Sequence, residues 1–159
     1  EYEIVYVEGS GGTRHVGSHT SVYEGSDLVF IGPNIPHLNF DYGVRTQCEQ
    51  VIVQMREDFL GKDFLSAPEL HRVRALFETS HHGISFSGET KRVVGEKLKQ
   101  IPLLLPFEQL LALLGILKIM ADSADAIVLN PKPAGVKSFR KEQFRMQQIY
   151  AYEIGRAHV

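Results

Sequence analysis

Gly25-Ser26-Asp27-Leu28-Val29-Phe30-Ile31-Gly32-Pro33-Asn34-Ile35-Pro36-His37-Leu38-Asn39 is the most specific stretch of the chain. The apolar run Asp27–Ile31 lies between Glu24-Gly25 and Gly32-Pro33-Asn34. Glycine, proline and asparagine stop strands and build turns, so the run reads as one short strand. The Pro33-x-x-Pro36 turn then fixes the register of the strand that follows. Alternate side chains of a strand share a face, which puts His37, Asn39 and Asp41 on one side.

The same punctuation recurs on both sides of this stretch. Tyr2–Glu8 is rich in β-branched and aromatic residues and ends at Gly9-Ser10-Gly11-Gly12. Thr13–Val16, Thr20–Tyr23, Pro36–Asp41 and Gln47–Met55 read as further strands. Six short strands with turn signals between them predict an antiparallel sandwich or barrel.

After Met55 the pattern turns helical. Glu57–Phe64 has helix-forming content and an acidic start. Pro68–Thr79 has proline at a first helical position and Leu70, Val73, Leu76 and Phe77 at helical spacing. Ile84-Ser85-Phe86 reads as one extended crossing, and Gly88–Ile101 as a helix. Pro106–Asp122 is a helix with two apolar stripes. One holds Phe107, Leu110, Leu111, Leu114 and Leu117; the other holds Leu113, Ile116, Ile119 and Met120. A helix apolar on two sides must be covered on two sides, by the core and by a second helix or subunit. The plainer alternative is a helix fully buried within the monomer.

Of the 159 residues, 43% are hydrophobic and 23% charged, a globular composition. Lys+Arg is 17 against 19 Asp+Glu, so the chain lacks the cationic excess that grips a nucleic-acid backbone. The single cysteine, Cys48, excludes an internal disulfide and a cysteine-rich zinc module, and points to a reduced, cytoplasmic setting. The apolar window Ile101–Met120 is broken by Pro102, Pro106, Glu108, Gln109 and Lys118, so no membrane association is expected. Asn130-Pro131-Lys132-Pro133-Ala134-Gly135 reads as part of a linker over 126–143. Phe144–Tyr152 resumes a helical pattern. The last residues, 153–159, resemble an in-frame sequencing-adapter translation and read as non-native. Both ends look cut.

The Gly25–His37 stretch resembles the second motif of the cupin superfamily. Glu3 followed by Gly9–Gly12 resembles the tail of the first cupin motif, where two histidines precede the glutamate by four and six residues. Those positions fall before residue 1. Gly12-Thr13-Arg14, Val16-Gly17, Gly25–Val29, Ile31–Asn34, Pro36-His37 and Glu57–Gly61, with Glu1–Val7, are similar to the amino-terminal sensory domain of AraC-type transcriptional regulators. The likeness covers roughly residues 1–125.

That resemblance implies an α+β fold: an antiparallel jelly-roll-like cupin barrel over 1–56, lacking its first strands, then a helical dimerisation region over 57–125. Residues 144–152 would open a helix-turn-helix domain. The implied function is a bacterial regulator, not an enzyme, that senses a small-molecule effector, such as a sugar, in the barrel. It would need no cofactor, form a homodimer through helix 106–122, and reach DNA only through the absent carboxy-terminal part. Glu3, His37, Asn39, Gln47 and Glu49 are the implied effector contacts. Asn39 and Val51 stand where arabinose-responsive members carry an aromatic residue, which speaks against a specific sugar. A metal-dependent cupin enzyme, an isomerase or dioxygenase, is the alternative, and a stand-alone sugar-binding module a third. The plainer readings are a His37 bonded to backbone in its turn, an exposed Glu49 and an Arg14 that pairs at the surface or caps a loop.

Overall fold

The computed structural model describes residues 1–40, 49–136 and 151–153. Nine strands and three α-helices are present among them. The strands are β1 (Tyr2–Glu8), β2 (Gly12–Val16), β3 (His19–Tyr23), β4 (Ser26–Ile31), β5 (His37–Phe40), β6 (Glu49–Met55), β7 (Ile84–Phe86), β8 (Ala126–Val128) and β9 (Ala151–Glu153). The helices are α1 (His71–Thr79), α2 (Gly88–Gln100) and α3 (Pro106–Ala121). Single 3-10 turns at Phe64–Ser66, Pro68–Leu70, Ser80–His82 and Ile101–Leu103 link them.

The strands form two sheets. The larger runs β8-β7-β4-β1-β6-β9 and the smaller β3-β2-β5. β1 pairs antiparallel with β4 on one side and β6 on the other, and β9 adds to β6 in parallel. The two faces of the large sheet feed two separate apolar clusters. Tyr2, Ile4, Tyr6, Leu28, Phe30, Val51 and Val53 pack with Phe77, Val94, Leu98, Leu113 and Ile116 of the helices. Val5, Val7, Val29, Ile31 and Ile52 pack with Val16 of the small sheet, Ile35 and Leu129. The result is three layers: helices, large sheet, small sheet.

The α+β content agrees with the sequence reading; the barrel does not. Among the described residues neither sheet closes, and the two meet face to face across the valine–isoleucine layer. The cupin barrel is therefore corrected to a layered sandwich backed by helices. Turn signals locate strands, but sheet closure is decided by pairings between distant strands that no local signal encodes.

Three segments also differ from expectation. Glu57–Phe64 is turn rather than helix: Phe59 N donates to Arg56 O and Gly61 N to Asp58 O, with Gly61 at a φ of 113°. The start of the expected linker is β8, which pairs with β7, and residues up to Val136 are bonded onto the body. Of the expected helix over 144–152, residues 151 and 152 belong to strand β9; the rest lies outside the described residues. Within the expected non-native tail, Glu153 ends β9 and 154–159 lie outside the described residues. Among the described residues no helix is long and apolar enough to cross a membrane.

Candidate functional site

Glu3 shares its face of β1 with Val5 and Val7, so it points into the layer between the sheets. Gln54 of β6 is its register partner, and the Gln54 amide Nε2 donates to Glu3 Oε1 at 2.9 Å. His37 opens β5 in the other sheet, opposite Val16 of β2. Its Nε2 lies 2.9 Å from Glu3 Oε2 and its Nδ1 2.8 Å from the Ile35 carbonyl oxygen. A carbonyl oxygen only accepts, so Nδ1 carries a proton. An ionised carboxylate also only accepts, so Nε2 carries one too. The arrangement is an imidazolium–carboxylate pair that bridges the sheets.

Burial disfavours both charges. The mutual hydrogen bond and opposite charge outweigh it. Glu3, helped by Gln54, is held below its ordinary 4.5. His37, helped by the Ile35 carbonyl, is held above its ordinary 6.5.

A second ion pair crosses between the same layers. Arg14 of β2 reaches Asp27 of β4, with Nη2 to Oδ1 at 2.8 Å and Nε to Oδ1 at 3.0 Å, and donates through Nη1 to Ser21 Oγ. The Arg14 side chain is 14% exposed and that of Asp27 2%, so the expected surface pairing of Arg14 is corrected to an interior one. Glu3 and Asp27 sit opposite Ile31 and Val7, four residues apart along β1, or about 13 Å. The apolar layer thus carries an ion pair towards each end.

Of the other proposed contacts, Glu49 does not join Glu3 and His37. Asn39 is paired in register with Arg14. Glu49 is exposed at the edge of β6, opposite Glu8, and Val51 and Val53 of the same parity face the helices. The inward residues of β6 are Ile52 and Gln54, the opposite parity from the one read in the sequence. The alternation was unreadable because Val51, Ile52 and Val53 are all buried: the strand is apolar on both faces. Gln47, Asp41 and Cys48 lie outside the described residues. Among the described residues no group of three His, Cys, Asp or Glu side chains is placed to hold a metal ion.

The helical layer carries a second feature. Leu113, Ile116, Leu117 and Met120 of α3 are buried, which accounts for most of one predicted stripe and for Leu117 of the other. Leu110 and Leu114 of that other stripe are half-buried, and its remainder is open: Phe107 is 61% and Leu111 53% exposed, and Leu103 and Leu105 just before the helix are 83% and 71% exposed. At its far end this face enters a groove of about 440 Å3 between α1 and α3. Leu70, Val73, Leu114 and Leu117 line it with Arg72 and Lys118. Both cations converge on Asp122, at 3.1 and 2.9 Å.

Comparison with family models, curated proteins and solved structures yields no match to this chain. With neither sheet closed among the described residues and no match in these comparisons, the cupin and AraC-type resemblance is withdrawn. So are the effector-sensing regulator it implied and the metallo-cupin alternative.

Proposed function

We propose that this chain is a self-association module, acting by binding rather than turnover, that pairs with a second copy through the open face of α3. The observation that carries this reading is the cluster of exposed Leu103, Leu105, Phe107 and Leu111 on one short segment. Single exposed apolar residues are ordinary; four large ones together mark a contact surface. In a symmetric pair eight such side chains leave water. At about 1.5–3 kcal/mol for each full burial, discounted for partial exposure, the gross gain is on the order of 10 kcal/mol. Association itself costs about 4–15 kcal/mol, so the pair is a reversible, concentration-dependent one. The binding-only reading is supported by the saturation of the Glu3–His37 pair, whose four polar atoms each have a protein partner. A cytoplasmic setting belongs to the same reading and rests on the single cysteine.

Sedimentation equilibrium tests it. The 17.9 kDa chain should dimerise as concentration rises, and Leu111→Glu should abolish dimerisation while leaving the circular dichroism spectrum and melting temperature intact. A wild-type chain that stays monomeric into the high micromolar range would refute the reading.

A further inference from the structure

We infer that the two copies pair antiparallel along α3, with Phe107 of each seated in the α1/α3 groove of the other. This rests on the self-association reading and adds its geometry. Phe107, Leu111 and Leu114 follow one another at helical spacing, so they form one line on the α3 surface. The line changes character along its length. Phe107 projects at the amino-terminal end; Leu114 is half-buried and is already a wall of the groove. One helix therefore carries a knob at one end and a hole at the other. A two-fold pairing is isologous, so each patch must fit its own copy. Parallel helices would set knob against knob. Antiparallel helices set each knob over the other's hole.

Gly115 fits the same geometry. It lies in the interior of α3, where glycine costs about 1 kcal/mol relative to alanine. Among the described residues, a Cβ added there would meet no atom within 4 Å beyond its own turn of helix. Packing within the chain therefore gives no reason for the missing side chain. Gly115 is one turn from Leu111, beside the exposed line, and its absent side chain lets a second helix approach closely.

Charge points the same way. Glu108 lies in the first turn of α3 and Lys118 near its last. A two-fold axis at the level of Leu113 brings Glu108 to the level of Lys118 of the partner subunit. There Arg72 and Lys118 share the single carboxylate of Asp122, although Glu69 also lines the groove. Parallel pairing would oppose like charges instead. The same axis puts Phe107 at the level of the partner's Ile119, over the groove's Lys118–Ala121 wall. The occupant is thus a second copy of this chain, whose own knob and charge complement the hole.

Disulfide trapping in a Cys48→Ser background reads the geometry. Differently tagged Glu108→Cys and Lys118→Cys chains, mixed and oxidised, should give the mixed dimer, while Glu108→Cys alone should give little. Phe107→Ala should weaken dimerisation at least tenfold. Gly115→Ala should raise the melting temperature of the dilute monomer and weaken the dimer. Self-linked Glu108→Cys without mixed product, or undiminished dimerisation of Phe107→Ala, would overturn the antiparallel pairing while self-association stands. A wild-type chain monomeric throughout, with no cross-link in any mixture, would refute self-association and the geometry with it, and would assign the face to a different protein.

Discussion

The Glu3–His37 pair makes stability depend on pH in two directions. The folded pKa of His37 is raised. Its contribution is complete below about 6.5, the unfolded value, and is lost as pH rises through the folded value. The folded pKa of Glu3 is lowered. Its contribution is complete above about 4.5 and is lost as pH falls through the folded value. The pair therefore contributes most between those limits, on the order of 1–3 kcal/mol for a charged hydrogen bond shielded from water. Denaturant melts of wild type and His37→Gln should show it. The variant should lose about that much at pH 5.5, and the difference should shrink towards pH 9. A pH-independent difference would mean that His37 binds its proton equally well folded and unfolded, so that Glu3 does not hold the charge. This pair was half legible in the sequence. The turn before His37 and the parity of Glu3 singled out both residues. Gln54 was missed because alternation carries no signal on a strand with two apolar faces.

At the scale of elements the sequence was more readable. Each of β1–β7 and α1–α3 coincides with a predicted segment to within a few residues, because glycine–proline punctuation and helical spacing are local properties. What they do not show is how closely elements approach. Gly95 of α2 looks like a defect within a helix. The structure gives it a reason: an added Cβ would lie 2.6 Å from the ring of Tyr6 on β1. Tyr6 cannot swing away easily. Its ring is buried, and its hydroxyl donates to Glu8. Burial first, then this bond, push the phenol up to about 12. Gly95→Ala gains about 1 kcal/mol of helix propensity and pays about 1–3 kcal/mol of overpacking. The net expectation is a loss of up to about 2 kcal/mol in urea melts, recovered in part by Tyr6→Leu. A stabilised Gly95→Ala would mean that the Tyr6 ring yields to the added methyl without strain. The contrast with Gly115 is the lesson: two helical glycines look alike in sequence, and only the neighbouring surface tells a close contact from an open face.

The three layers are tied together at Asn130, and here the sequence misled. Its proline- and glycine-rich surroundings have linker composition, but composition says nothing of what a side chain bonds to 110 or so residues earlier. Asn130 is buried. Its amide nitrogen donates to the carbonyl of Val16 in the small sheet at 3.0 Å and to that of His82, after α1, at 2.9 Å. Its side-chain oxygen accepts from the backbone N–H and the hydroxyl of Ser18. Farther along, Ala134 N donates to His81 O and Val136 N to Asn34 O. A segment that ends the helical half thus pins the small sheet. Asn130→Ala removes four hydrogen bonds at about 0.5–1.5 kcal/mol each, a loss of about 2–6 kcal/mol. The loss should not be uniform. Opening of the clasp frees the 130–136 segment and the β2–β3 turn without unfolding the helices. Hydrogen exchange should therefore quicken at Ser18, Ala134 and Val136 while the α3 amides change only by the global loss. Equal acceleration everywhere would mean that the clasp and the core unfold as one unit.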